Sequence, residues 1–252
     1  MDTRYWGPSG WKLLHLITFS NESKGNKPAL IEFFKVLPYV LPCKYCRASL
    51  SEYMTELPIE KATSLERWLW KIHNKVNAKL RSQGLPCHED AAFEKVSAIY
   101  TEKYQQGCSK TIFDGWEFLF SIAENHPLNR TSRVVARPED QGMDDLKKNY
   151  LNVLASEDRL VYYERFWELL PTVLPYTSWQ NTWASVTGTE WGTRKEALQS
   201  LWQIRKILEA EMDLRNRTSY NSLCKVLQNH RSGCHSSRRA KTCRRRKNTN
   251  TQ

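Results

Sequence analysis

Apolar residues recur at intervals of three and four along most of the chain, the spacing of one face of an α-helix, and strand-like alternation is scarce. Trp11, Leu14, His15, Thr18 and Phe19 form the first stripe, with Gly7-Pro8-Ser9 ahead of it as cap and first turn. Leu30 to Leu37 supplies a second stripe, and Leu69, Ile72, Val76 and Leu80 a third. A fourth runs through Phe93, Val96, Ile99 and Tyr100, within Asp90 to Tyr104. Between Glu124 and Gly142 the periodicity stops, and Pro127, Pro138 and charged residues read as a linker. Helical spacing then resumes. The pattern predicts an all-α protein with a first domain over residues 1–123, a linker over 124–143, a second helical domain over 144–229 and a tail over 230–252.

The second region reads as a worn copy of the first. Phe33-Phe34-Lys35-Val36-Leu37-Pro38-Tyr39-Val40-Leu41-Pro42 aligns with Phe166-Trp167-Glu168-Leu169-Leu170-Pro171-Thr172-Val173-Leu174-Pro175. Further on, Leu69-Trp70-Lys71-Ile72-His73-Asn74 faces Leu201-Trp202-Gln203-Ile204-Arg205-Lys206 at nearly the same offset. The two copies diverge immediately after Val-Leu-Pro. The first has Cys43-Lys44-Tyr45-Cys46 and the second Tyr176-Thr177-Ser178-Trp179, so only the first can do thiol chemistry.

Composition narrows the class. At 252 residues and 40% hydrophobic, the chain is long and apolar enough for a packed core, which excludes disorder and disulfide-stapled miniproteins. No apolar run approaches the ~18 residues of a membrane span, and Met1 to Trp6 lack the order of a signal peptide. The chain therefore reads as intracellular and cytoplasmic, where stable disulfides are uncommon and a Cys pair is catalytic or metal-bound. Eight of the cations behind the net charge of +11 lie between Arg231 and Lys247, leaving +3 for everything before them. That tail is either a contact for nucleic acid or another polyanion or a solvated cationic end; it has no aromatic residue for base stacking.

A CxxC at the start of a helix, with Pro42 fitting the first turn, can cycle between dithiol and disulfide, because helix N–H groups and the dipole stabilise a thiolate there. Half of a zinc site is the competing reading, with Cys87 and His88 the nearby supplement, and two incidental cysteines the third. In the helix from Trp68 to Leu80, His73, Asn74 and Asn77 lie beside the apolar stripe, where they serve either as a solvated face or as donors and acceptors for a planar, polar-edged cofactor.

Over about residues 4 to 110 these elements resemble the Erv/ALR family of FAD-linked sulfhydryl oxidases: Trp6-Gly7 followed by Trp11 and His15, the Cys43–Cys46 pair, and His73-Asn74-Lys75-Val76-Asn77-Ala78-Lys79-Leu80. The resemblance implies a bundle of four main helices plus a short fifth, holding FAD noncovalently without a Gly-rich Rossmann loop and forming a homodimer. It assigns Trp11 and His15, with Gly7, to the cofactor from the first helix, and His73, Asn74, Val76, Asn77, Lys79 and Leu80 from the fourth-helix region. Cys46 would lie against the isoalloxazine, and Cys43 would be the more exposed partner that exchanges with thiol-containing protein substrates. Electrons would pass from dithiols through the pair to FAD and on to O2, giving H2O2.

Departures from the family are informative. Trp70 stands where the first Cys of the usual structural disulfide belongs, while Cys87 stands where the second would be, and a Cys87–Cys108 bridge is expected instead. The extra shuttle CxxC of many members is absent, and Cys224, Cys234 and Cys243 carry no assigned role. The second copy, with Arg205 and Lys206 in place of His73 and Asn74, should bind no FAD. A Trp-rich second domain beside such a first one points to a large DNA virus. The alternative is a zinc-stabilised helical protein that binds nucleic acid through its tail.

Overall fold

The computed structural model describes residues 1–85, 87, 89–107, 113–129, 138–213 and 218–231, and among them there is no β-strand. The helices of the first half are α1 (Thr3–Phe19), α2 (Asn21–Gly25), α3 (Lys27–Val40), α4 (Lys44–Glu56), α5 (Leu65–Ser82) and α6 (Phe93–Gln105). They are followed by α7 (Trp116–Glu124), α8 (Asp145–Leu151), α9 (Asp158–Val173), α10 (Thr177–Ser185), α11 (Arg194–Glu211) and α12 (Tyr220–His230). None of these is long and apolar enough to cross a membrane. The basic tail beyond residue 231 lies outside the described residues.

Local chemistry sets the starts of the main helices. The Ser64 hydroxyl accepts the Arg67 N–H to open α5, and Thr193 accepts the Glu196 N–H to open α11, each satisfying an amide that has no helical partner. In α1 the boundary differs from the sequence reading. The helix begins at Thr3, where the Asp2 carboxylate accepts the Arg4 N–H at 3.0 Å, and it runs straight through Gly7-Pro8-Ser9. Pro8 forfeits the bond its N–H would make to Arg4, a loss that the deeply packed remainder of α1 outweighs. Pro42 also sits one place earlier than expected: Cys43 is the N-cap of α4, and Pro42 precedes it.

The core forms where α3 lies along α9 and α1 along α7. Phe33 and Phe166 stack at 5.4 Å between ring centroids, and the half-buried Arg165 grips Glu32 in a two-pronged ion pair at 2.6 and 2.8 Å. Between α1 and the start of α7, contacts come in reciprocal form. Gly10 lies under the Phe118 ring, so that an added Cβ would stand 3.0 Å from it, and Gly115 lies under Leu13, where the gap would be 2.7 Å. Gly10-Trp11-Lys12-Leu13-Leu14 parallels Gly115-Trp116-Glu117-Phe118-Leu119, so the same small residue admits the same neighbouring position twice. Helix α7 falls inside the stretch assigned by number to the first domain, yet it packs on both α1 and α11. The segment read as a linker includes short 3-10 turns at Pro127–Asn129 and Pro138–Asp140 among its described residues. Because α7 and α9 already cover α1 and α3, a homodimer of this chain would have to use other faces.

The bends that end α3 and α9 are also held reciprocally. Pro42 has no N–H to offer the Pro38 carbonyl, which accepts instead from Asn149 of α8 at 3.0 Å, and the Tyr39 carbonyl accepts from Arg159 of α9 at 3.0 Å. In return, the carbonyls of Val173 and Pro175 accept from Ser23 and Ser20, each at 2.7 Å. Every residue from Val36 to Cys43 is buried as a result.

The reciprocal packing generates a prediction. Gly115 has φ +139° and no room beside Leu13, so Gly115→Ala combines backbone strain with overpacking. Urea denaturation should show a loss of about 2 kcal/mol or more for this variant and a smaller loss for Gly10→Ala, whose φ is helical.

Candidate functional site

Helices α1, α5 and α6 meet around three rings, two of them imidazoles named from the sequence. Trp11 stacks on His73 with centroids 3.9 Å apart and planes 10° off parallel, and His15 Nε2 lies 3.1 Å from His73 Nδ1. The expected stripe on α1 holds: Leu14, His15, Thr18 and Phe19 are buried, while Trp11 at the site edge is half-buried. Tyr100 of α6 stacks on His15 at 4.9 Å, a contact the periodicity of that helix could have suggested but did not assign to the site.

Burial controls the charge of these imidazoles. His15 is 2% exposed, and desolvation, followed by repulsion from His73, pushes its pKa down to about 3. Desolvation likewise pushes His73 down to about 4, against a weak opposing pull from Asp90. Both rings are therefore neutral at neutral pH, and one donates the hydrogen of the bond between them. His15 Nδ1 is buried and has no hydrogen-bond partner among the described residues. An orphaned polar atom in a ring stack is a position awaiting a donor or acceptor.

The lower half of α5 is less buried than its pattern predicts. Leu65, Trp68, Leu69 and Ile72 are buried, whereas Val76 and Leu80 are only half-buried, and α6 has no buried residue at all, with Ile99 50% exposed. Those two helices thus leave an apolar strip beside the ring stack short of protein cover. Asn74 and Asn77 are half-buried on the same stretch. Asn77 donates to the Asp90 carboxylate at 2.9 Å, and Arg81 grips the same carboxylate at 3.0 and 2.6 Å. Gly7 lies one helical turn before Trp11, and an added Cβ there would meet nothing within 4 Å.

The cysteine pair reaches this region through α4, which runs antiparallel to α5. The Tyr53 hydroxyl donates to the Lys75 carbonyl at 3.4 Å, and the Lys79 ammonium donates to the Ser49 hydroxyl, one turn beyond Cys46. Lys79, assigned from the sequence to the cofactor, is therefore a link between α5 and the cysteine helix. The exposure of the two sulfurs is the reverse of the expectation. Cys43 is 2% exposed and Cys46 is half-buried, because Cys43 caps α4 inside the corner that α8 and α9 cover.

Trp70 takes over a mechanical task at the position where a disulfide was expected to be lost. Its indole N–H donates to the Ala91 carbonyl at 2.9 Å and its ring meets Phe93 edge-on, tying the segment before α6 to α5. Cys87 hydrogen-bonds with Arg81, while Cys108, its expected partner, lies outside the described residues. His88 also lies outside them, and among the described residues no group of three or more His, Cys, Asp or Glu can hold a metal ion.

The site thus combines a CxxC pair at the N-terminus of α4 with an adjacent helix, α5, on which His73 stacks against Trp11. Residues 8–98 match the model of the Erv1 / Alr family. The mitochondrial FAD-linked sulfhydryl oxidase of Saccharomyces cerevisiae is 30% identical over 92 residues, covering 34% of this chain and 49% of that protein. An FAD-linked sulfhydryl oxidase of African swine fever virus, isolate Tick/Malawi, is 29% identical over 121 residues, 46% of this chain and 98% of the viral protein. A probable FAD-linked sulfhydryl oxidase of Acanthamoeba polyphaga mimivirus is 29% identical over 85 residues, 31% of this chain and 59% of that one. The chain thus spans about half the length of the yeast relative and nearly all of the swine fever virus relative. No solved structure matches the chain significantly.

The depressed histidine pKa values predict an acid-sensitive fold. Unfolded, each imidazole takes up a proton near pH 6.5, while folded they resist down to about 3 and about 4. The unfolded state therefore binds more protons across that window, and stability present above pH 6.5 declines as pH falls through it. Urea titrations at about pH 7 and about pH 5 should differ by about 3–4 kcal/mol, and the difference should shrink in a His15→Gln, His73→Gln double variant.

Proposed function

We propose that this chain is an FAD-linked thiol oxidase that forms disulfide bonds in protein substrates. The observation that carries the reading is the Trp11–His73 stack with His15 behind it, on the same α5 that receives the cysteine helix through Lys79. The residues present suit a flavin. The buried His15 Nδ1 awaits a polar edge, Asn74 and Asn77 offer amides, and Val76 and Leu80 offer apolar cover that the protein leaves half-open. When bound, FAD supplies a two-electron acceptor that hands its electrons to O2, giving H2O2.

The chain's own part is thiol–disulfide exchange. A substrate thiolate attacks one sulfur of the Cys43–Cys46 disulfide, forming a mixed disulfide and releasing the other sulfur as a thiolate. A second substrate thiol then attacks the mixed disulfide. The substrate leaves oxidised, and the pair is left as a dithiol carrying the two electrons. Cys46 occupies the third helical position of α4, where free N–H groups and the dipole favour a thiolate. Cys46 also lies one turn before Ser49, on the side of α4 that meets α5, which supports Cys46 as the sulfur beside the cofactor.

The second half reads as a degenerate copy that begins at Gly115 and binds no flavin. Trp116 then corresponds to Trp11, Phe120 to His15 and Arg205 to His73, and the Arg205 guanidinium lies 5.6 Å from the Trp116 ring and 5.8 Å from the Phe120 ring. A hydrocarbon ring and a permanent cation replace the neutral imidazole pair. The polyanion contact proposed for the tail falls outside the described residues.

Purified protein should be yellow, carry one FAD per chain, and consume oxygen when given a dithiol. Cys46→Ala should keep the colour and lose turnover, whereas Trp11→Ala should lose flavin. A folded, colourless protein that takes up no FAD overturns the reading.

A further inference from the structure

Two guanidiniums, together with the neutral Asn149 amide at the Pro38 carbonyl, hold the corner that ends in Pro42-Cys43. Arg47 donates to the Leu41 carbonyl at 2.9 Å, and Arg159, from the second half, donates through Nε to the Tyr39 carbonyl at 3.0 Å. Lys79 adds an ammonium at Ser49. Arg159 is 7% exposed, and its hydrogen-bond partner is a neutral carbonyl. Burial and then the neighbouring Arg47 lower its pKa, from an ordinary value so high that the charge persists. A buried cation without an anion beside it is costly, and it gains from any anion that forms nearby.

The same corner in the second half provides the comparison. The Leu174 carbonyl accepts from Gln180 at 2.8 Å, where the first half uses Arg47, and the Val173 and Pro175 carbonyls accept from serine hydroxyls. Neutral donors are therefore enough to satisfy a helix end of this shape. Among the described residues, two guanidiniums beside the neutral Asn149 serve the corner that leads into two cysteines, whereas the donors named at the corner that leads into Tyr176-Thr177-Ser178-Trp179 are all neutral. Hydrogen bonding accounts for the donors but not for their charge.

We infer that Arg159 is a positioning residue through which the second half sets the reactivity of the first half's Cys43–Cys46 pair: its guanidinium holds the α3–α4 corner and favours the thiolate form of the dithiol. A cation that stabilises the thiolate also stabilises the reduced pair, so the disulfide becomes a stronger oxidant of substrate thiols. This rests on the thiol oxidase reading and assigns the second half a part in it that needs no flavin of its own.

The test uses the full flavin-loaded chain under argon, with Arg159→Met, Arg159→Gln and Arg159→Lys. One readout is the rate of iodoacetamide alkylation of the reduced pair at fixed neutral pH. The other is the equilibrium of the Cys43–Cys46 disulfide with glutathione, in which two glutathione thiols are oxidised for each disulfide reduced. Arg159→Met and Arg159→Gln should slow alkylation about tenfold and shift the glutathione equilibrium about tenfold towards the disulfide, about 30 mV. Arg159→Lys should stay near the parent. Gln keeps a donor for the Tyr39 carbonyl, so it carries the test if Met fails to fold. Parental sulfur chemistry in a folded Met or Gln variant overturns the inference, and so does a shift in Lys as large as in Met. Loss of helical circular dichroism in all three makes Arg159 a scaffold residue and also overturns it. Both readouts are taken on the sulfurs, so they stand whatever the oxygen uptake. A parent protein that consumes no oxygen with dithiol overturns the thiol oxidase reading instead.

Discussion

A helix that ends in Leu-Pro cannot satisfy its own last carbonyls, and this constraint organises the molecule. Pro42 removes the donor for the Pro38 carbonyl, which Asn149 replaces, and Arg159 serves the neighbouring Tyr39 carbonyl at the helix end, both from more than a hundred residues away. At the end of α9 the Pro175 and Val173 carbonyls are met by Ser20 and Ser23. Each half therefore completes the other, and neither corner could be buried alone without orphaned polar groups. The depth at which Cys43 lies comes from this exchange, not from anything in its immediate sequence.

Beside that corner, α5 serves two neighbours at once. Its upper turns pack the core through Leu65, Trp68, Leu69 and Ile72, while its lower turns become polar and half-open. The transition occurs at His73, where the imidazole is buried enough to stay neutral and is aligned by Trp11 on one face. A neutral ring pair fits a site for a planar ligand with both donor and acceptor edges, and it carries a stability cost in acid that a charged, exposed pair would not have.

Most of this was legible in the chain because helical stripes report on nearest-turn geometry. The buried faces of α1 and of the upper turns of α5 come from spacing, and the grouping of Trp11 and His15 with His73 from the family resemblance. What neither could reveal depended on distant partners. Pro8 reads as a helix start because it forfeits a local bond, and only tertiary packing keeps the helix continuous through it. Val76 and Leu80 read as core because the pattern cannot tell a helix face covered by protein from one left half-open. Cys43 reads as exposed by family resemblance, and the α8 and α9 that cover it lie beyond the residues the resemblance spans. Arg159 and Asn149, polar residues in helical surroundings, give no sign of burial until their carbonyl partners are seen.

The paired glycines have a consequence for change over time. In an assembly of two identical chains, any substitution at such a contact arrives on both sides together, so a large side chain must be tolerated opposite its own duplicate. Here the two sides are written separately, and they already differ: Gly10 receives the flat ring of Phe118, while Gly115 receives the branched Leu13. Each side can be refitted to its own neighbour without disturbing the other, so the two contacts are free to diverge separately.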